Sequence, residues 1–358
     1  MITSLSTKNF SAFEDVHIQL DPKINVIIGE NSTGKTHMLK ALYVMCSEFK
    51  SLNRSEPLDN DVVRSWLTDR FVNVFKPLND SIGRLAKTGA QEETKLVIEY
   101  SDSSHFGVSF GHSSKFVNFT ENQPIFSNLQ ESHNPVFIPA KEILSIMLGL
   151  RSVIQSYKLS FDETYSDLIN LLELPERRPD ALGEKALWVM KELEKRYGGK
   201  FRFLGGGHIE FKVGRNKYSV NTMAEGFRKL GTLFRLLETG AIDPSRHAPL
   251  IWDEPDANLN PLLIELLVDS LLKLSREGQQ IIIATHNYNL IKWIDMKKEY
   301  DRGDSVRFHS LYRDTKNNTR IQLEFANELP ELKNNPILES FRKIVDFEIV
   351  SNLGGLGK

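Results

Sequence analysis

Val26-Ile27-Ile28-Gly29-Glu30-Asn31-Ser32-Thr33-Gly34-Lys35-Thr36 is the stretch that decides how this chain is read. Ile24 to Ile28 is a short β-branched run, the pattern of a buried strand. Gly29 to Thr36 then fits G-x-x-x-x-G-K-[ST] at every fixed position. His37 to Met45 is helix-forming, with Met38, Leu39, Leu42 and Tyr43 spaced for one face. Strand, glycine loop and helix in this order make a phosphate cradle. Gly29 and Gly34 let the backbone curl so that successive N–H groups, from Glu30 through Thr33, converge on an anion. The helix N-terminus adds partial positive charge. Lys35 is expected to bridge the β- and γ-phosphates of ATP, and the Thr36 hydroxyl to ligate Mg²⁺.

A second constellation supports the first. Pro249 to Pro261 reads PLIWDEPDANLNP and places Asp253 and Glu254 at the end of an apolar strand. A carboxylate there can hold Mg²⁺ opposite the loop, the role expected of Asp253. Glu254, one residue on, is expected to face the γ-phosphate and take a proton from the attacking water. Gln280 to Ala284 is another near-continuous apolar strand, followed by Thr285-His286-Asn287. Parallel strands end at one edge, so His286 is expected beside the γ-phosphate.

Composition bounds the rest. With 358 residues the chain suits one large α/β domain or two lobes. A net charge of −2 gives no global basic field, so any nucleic-acid contact needs a local patch or a partner. The single cysteine, Cys46, excludes a disulfide framework and suits a reducing compartment. No apolar run approaches the roughly 18 residues of a membrane span, and the N-terminus has no signal-peptide core. A cytoplasmic protein without a membrane partner is expected.

Along the chain, Ile2 to Lys8 and Phe13 to Leu20 read as strands, with Phe10 and Phe13 as sheet-core aromatics or adenine-pocket walls. Asp59 to Phe75 reads as a helix with Val62, Val63, Trp66, Leu67, Phe71 and Val74 on one side. Ser81 to Glu92 reads as a polar connector. Lys95 to Tyr100, Phe106 to Phe110 and Lys115 to Thr120 suggest an antiparallel side sheet, and Val136 to Pro139 a core strand. Three amphipathic helices are expected at Ile143–Ser156, Phe161–Leu174 and Ala181–Tyr197. None carries a sustained heptad repeat, so no long coiled coil is expected. Short strands follow around Gly205-Gly206-Gly207, read as a turn. Thr222 to Thr239 and Asn260 to Ser275 read as helices, Val306–Tyr312 and Thr319–Phe325 as a closing hairpin, and Pro336–Val350 as a terminal helix with a frayed end. Apolar strands separated by helices indicate a largely parallel sheet buried on both faces.

GENSTGKT, then Ala224-Glu225-Gly226-Phe-Arg-Lys-Leu-Gly231, then LIWDEPDANLNP, then IIIATHN resembles the ABC-type ATPase head. The branch it resembles includes RecF, the chromosome-maintenance (SMC) heads and the overcoming-lysogenisation-defect (OLD) ATPases. The opening LSTKNFSAFEDVHIQL is similar to how those heads begin. The resemblance implies an α/β fold of ABC-ATPase type: a P-loop NTPase with a mostly parallel core sheet, an antiparallel β side sheet and a helical lobe. It divides the chain into an N-terminal ATPase part (1–142), a helical lobe with a β-hairpin (143–220) and a C-terminal ATPase part (221–358). It implies a head-to-tail homodimer or higher oligomer with ATP between the subunits. Glu225 and Gly226 then stand in the signature, Gly226 offering its N–H to the partner's γ-phosphate. The signature lacks its usual serine, and the loop Ala257-Asn258-Leu259-Asn260 has asparagine where aspartate is usual. Glu142 stands where a Q-loop glutamine would be.

No coiled-coil insertion is read, and a hairpin and helix fill the stretch after His286. A stand-alone ATPase head acting on a separately encoded effector, such as a nuclease, is therefore expected. The resemblance points first to a nucleic-acid-linked, DNA- or RNA-associated engine of bacterial anti-phage defence. The alternative is a RecF-like repair or recombination ATPase. A transporter nucleotide-binding subunit fits least, given the K-N-F opening, the A-E-G signature and the β-rich 95–120 region. Arg177, Arg178, Lys191, Lys195, Arg196 and Lys200 are candidates for a nucleic-acid surface; interleaved with Glu184, Glu192 and Glu194, they read first as an ordinary solvated helix face. Arg228 and Lys229 are open between reaching a phosphate and bracing the signature helix.

Overall fold

The computed structural model describes residues 1–47, 59–120, 134–156, 161–246, 248–314 and 320–354. The chain begins with β1 (Ile2–Phe10) and β2 (Phe13–Gln19), then β3 (Ile24–Gly29), α1 (Lys35–Met45) and α2 (Asn60–Phe75). β4 (Thr94–Tyr100), β5 (His105–Phe110), β6 (Asn118–Phe119) and β7 (Val136–Ile138) follow. A helical section holds α3 (Met147–Ser156), α4 (Glu163–Leu172) and α5 (Glu184–Tyr197). After it come β8 (Lys200–Phe203), β9 (Ile209–Val213) and β10 (Asn216–Ser219). The last third contains α6 (Glu225–Glu238), β11 (Leu250–Asp253), α7 (Pro261–Arg276), β12 (Ile281–Thr285) and α8 (Tyr288–Lys297). It closes with β13 (Val306–Asp314), β14 (Arg320–Ala326) and α9 (Pro336–Gly354).

Three sheets result. The core sheet has the order β14-β13-β3-β12-β11-β7, parallel throughout except for β14. Every residue of β3, β11 and β12 is buried, as expected of strands covered on both faces. One face packs on α4 to α8, with Leu233, Leu237, Leu267 and Leu271 fully covered. The other packs on α1, α2 and an antiparallel side sheet of order β2-β1-β4-β5-β6. A third, antiparallel sheet, β10-β9-β8, lies beside α5 and α6 through Phe201, which meets the Tyr197 ring and Gly231. Helix starts follow local chemistry: Asp59, Asp162, Asn260 and Asn287 each accept a backbone N–H as N-caps, worth about 1 kcal/mol each.

The α/β architecture with a parallel core and an antiparallel side sheet is as read from sequence. Some local expectations are borne out and others need correction. β1 and β2 belong to the side sheet, where β1 pairs with β2 on one side and with β4 on the other, Leu5 opposite Ile98. β13 is more than half of a closing hairpin: it runs parallel to β3 inside the core sheet, with Leu311 opposite Gly29. Ser81 to Glu92 is not simply polar, because a 3-10 turn over Ile82–Leu85 buries both of those residues. The first helix of the helical section starts later, at Met147, and is interrupted at Leu148 and Gly149. Val62 and Leu262 lie on the helices expected but point outward. Phe10 and Phe13 are fully buried in the side-sheet core. Gly205, Gly206 and Gly207 all take positive φ, and His208 donates to the Gly205 carbonyl, so the triple glycine is a hairpin turn. Residues beyond Gly354, read as frayed, lie outside the described residues.

One buried group gives the fold an acid limit. His309 on β13 is wholly buried, with Nε2 3.1 Å from Asn25 Oδ1 and Nδ1 without a partner. Burial, helped by the Arg307 charge, pushes its imidazole down to about 3. The native state therefore takes up no proton at His309 between pH 6.5 and 3, whereas the unfolded chain does. Stability falls as pH drops through that window, by about 2 kcal/mol between pH 7 and 5. Urea unfolding of His309→Gln is expected to lose that much of the pH dependence; an unchanged pH dependence would contradict the assignment.

Candidate nucleotide-binding site

Register brings the site together. Thr285 pairs with Ile28, and Asp253 with Ala284, so β3, β11 and β12 end level at one sheet edge. At that edge the loop after β3 is held by its own contacts. The Thr33 hydroxyl donates to the Glu30 carbonyl at 2.9 Å. Gly34 takes φ +93° as the residue before α1, and a Cβ there would lie 2.6 Å from the Phe13 ring. The side sheet therefore presses directly on the loop, and only glycine fits. Arg313, two residues beyond the Leu311–Gly29 pair, donates from Nη2 to the Ser32 carbonyl at 2.7 Å.

Lys35 is buried and folds back, donating to the Gly29 carbonyl at 2.8 Å and the Glu30 carbonyl at 3.1 Å. Burial pulls its pKa down, against the opposing carboxylates of Glu254, Asp253 and Asp256. Thr36 Oγ1 donates to Asp253 Oδ2 at 2.8 Å. Asp253 Oδ1 is buried with no hydrogen-bond partner, and burial raises the carboxyl's pKa above the usual carboxylate range. Glu254 sits at φ +45°, with Oε1 3.8 Å from Lys35 Nζ and Oε2 2.8 Å from His286 Nδ1. His286 is half-exposed at the mouth of this group. Lys35, Thr36, Asp253, Glu254 and His286 thus meet at one edge, as their spacing in sequence implies.

The Ala224–Gly231 segment, expected from the resemblance to serve as the signature, is tied to the same edge by residues whose roles sequence left open. Lys229 is buried and donates to the main-chain carbonyl of Glu254 at 2.6 Å. Burial lowers its pKa, while Asp256, Glu225, Glu254 and Asp253 pull it back up. Arg228 pairs with Glu142 at 2.8 Å. Both side chains brace α6. Glu142, expected in place of a Q-loop glutamine, is committed to Arg228 and to Ser145. Asp256 accepts from the Thr285 hydroxyl at 2.6 Å and links the loop after β11 to β12. Gly226 is buried against the loop after β11, where a Cβ would meet the Asn258 carbonyl at 2.8 Å. Glu225 begins α6, and no side chain caps that N-terminus. Arg313, Asp256 and the Arg228–Glu142 pair were missed because each depends on strand order.

Comparison with known proteins agrees with this geometry. A family model described as "AAA ATPase domain" matches residues 1–167, and one described as "AAA domain, putative AbiEii toxin, Type IV TA system" matches residues 148–292. The "DNA replication and repair protein RecF" of Bacillus cytotoxicus is 34% identical over 102 residues, covering 26% of this chain and 27% of the relative. RecF of Bacillus mycoides matches with the same identity and coverage. The matches thus span about a quarter of the curated relatives. Among solved structures, an SMC head bound to the C-terminal winged-helix domain of ScpA superposes with TM-score 0.58 at 13% identity, covering 92% of this chain and 98% of that one. The SMC head domain from Thermotoga maritima gives 0.50 at 14%, covering 90% and 98%. At such identities the structures speak for the fold alone, while the two family models run in succession from residue 1 to 292. Together these matches support an ABC/AAA ATPase of the RecF/SMC/OLD type, built on the fold of the SMC heads.

Proposed function

We propose that this chain binds ATP with Mg²⁺, hydrolyses it between two copies arranged head to tail, and uses that cycle to control a separately encoded effector in a toxin-type defence against phage. The observation that carries the ATPase part is the pairing of Thr36 Oγ1 with Asp253 beside the orphaned Asp253 Oδ1. A buried carboxylate oxygen without a donor fits a hard divalent cation, so Thr36 and Asp253 are assigned to Mg²⁺. When bound, Mg²⁺ neutralises charge on the β- and γ-phosphate oxygens. The chain supplies the rest. Main-chain N–H groups from Gly29 to Thr36 hold the phosphates. Lys35 exchanges its two carbonyl acceptors for phosphate oxygens. Glu254 accepts the proton of the attacking water, and His286, in contact with Glu254, answers to the γ-phosphate. The uncapped N-terminus of α6 at Glu225 and Gly226 supports a trans contact with the second copy's γ-phosphate.

The defence reading is supported by the toxin-system description of the family matched at residues 148–292. A second reading, a RecF-like repair ATPase, is favoured by the RecF match. Co-purification of a small effector protein separates them, since the repair reading requires none. For the engine itself, the solution mass of the wild-type chain is expected to double when a non-hydrolysable ATP analogue and Mg²⁺ are added. A mass that ignores nucleotide would remove the head-to-tail assembly from this reading.

A further inference from the structure

The third sheet carries a charge pattern that neither ATP chemistry nor folding accounts for. Lys200 on β8 lies directly opposite Lys212 on β9, and Lys212 lies directly opposite Lys217 on β10. Three ammonium groups therefore form one row across the sheet on the same face. Like charges directly opposite one another in a sheet destabilise it. Lysines on edge strands guard against unwanted pairing, which explains β8 and β10. That leaves Lys212, on the central strand, unexplained. One step along the same face, Arg202 stands opposite Glu210, the carboxylate that pairs with Lys217 at 3.0 Å. Among the described residues, Lys200 and Lys212 have no ion-pair partner.

The C-terminal turns of α5 add to this face. Lys191 and Lys195, one helical turn apart, line a groove of about 570 Å³ together with Lys200, Lys212 and Glu194. Its floor includes Gly214, where the backbone lies open to close approach, and Gly199, which packs against the Lys212 carbonyl and the Phe211 ring. No aromatic or branched side chain lines it, so a folded protein partner would find no apolar anchor. The lysines are point charges on flexible stems, suited to phosphates and indifferent to base sequence.

We propose that this lysine groove binds the sugar–phosphate backbone of a nucleic acid. Its position also connects it to the ATPase edge. Tyr197, at the end of α5, packs its ring 4.7 Å from that of Phe227 on α6 and donates from its hydroxyl to the Phe227 carbonyl. Phe201 on β8 lies against Gly231 of the same helix. A strand held in the groove thus rests on α6, the helix whose Lys229 holds the Glu254 carbonyl. This second step rests on the proposed ATPase function; the binding step does not.

The test compares wild type with the triple variant Lys191→Gln, Lys200→Gln, Lys212→Gln, using fluorescent duplex and single-stranded oligonucleotides of random sequence without ATP. Wild type is expected to bind with strong salt dependence. The variant should bind at least 10-fold more weakly, with a log–log salt slope for duplex shallower by about 2.7, three lost phosphate contacts at about 0.9 each. A control variant at Lys115, Arg342 and Lys343, exposed elsewhere, should bind as wild type. The triple variant should melt no lower than wild type, since it relieves repulsion. Wild type failing to bind at low salt, or the triple variant keeping wild-type affinity and slope, overturns the groove. ATP hydrolysis that responds to oligonucleotide in wild type but not in the triple variant supports the link through α6. A response equal in both overturns that link alone, and absence of hydrolysis in every protein overturns the ATPase reading while the binding result stands.

Discussion

Glu254→Gln is expected to lower steady-state ATP hydrolysis by at least about 100-fold, the usual weight of a general base, while leaving ATP binding near wild type. The carboxylate sits between two groups that define it: Lys35 Nζ at 3.8 Å from one oxygen and His286 Nδ1 at 2.8 Å from the other. An amide keeps the shape and can still contact both neighbours, but it does not accept the proton of an attacking water. The main chain at Glu254 is held by the Lys229 amine and by a hydrogen bond from its own N–H to the Ala284 carbonyl. The substitution therefore leaves the loop in place. If the cycle runs as proposed, the variant with ATP-Mg²⁺ should stay in the doubled-mass form that wild type leaves as it hydrolyses. Hydrolysis within tenfold of wild type would mean that another group activates the water.

The second large effect is expected at Lys35. Lys35→Met should weaken ATP binding at least about 100-fold. Two hydrogen bonds to a charged group, at about 1.5–3 kcal/mol each, exceed the roughly 2.8 kcal/mol that this factor requires. The fold should tolerate the change. Lys35 is buried at a desolvation cost visible in its lowered pKa, and its two hydrogen bonds go to carbonyls of the loop itself. Methionine fills the same channel without that cost. Thermal unfolding without nucleotide should then stay close to wild type, while the upward shift that ATP-Mg²⁺ gives wild type should vanish. A full ATP-induced shift in Lys35→Met would show that the nucleotide is held elsewhere.

The two family models divide the chain near the start of the helical section, and each covers one half of the nucleotide edge. The first contains Lys35 and Thr36, the second Asp253, Glu254 and His286. Neither half is a site without the other, because the Thr36–Asp253 bond closes the edge across 217 positions of sequence. The Lys40–Asp162 pair at 2.6 Å ties α1 to the N-cap of α4 behind the loop. Substituting Lys40 or Asp162 should therefore loosen the edge without touching a phosphate.

What the sequence determined by itself was local. Gly29 to Thr36 specifies its own loop because glycine conformations and a helix N-terminus are short-range properties. The apolar runs of β3, β11 and β12 announce buried parallel strands, and a strand's end is where its following residues must act. Those two facts sufficed to name Lys35, Thr36, Asp253, Glu254 and His286. Strand order and register, by contrast, are set by contacts between residues far apart in sequence, which no local pattern encodes. Only the tertiary structure could put β13 beside β3, so that Arg313 reaches Ser32, or β1 and β2 on the side sheet, so that Phe13 closes on Gly34. Only packing could turn Lys229 to the Glu254 carbonyl and Arg228 to Glu142. The lysine row follows the same rule: Lys200, Lys212 and Lys217 are unremarkable along the chain and become one charged face when three strands pair in register.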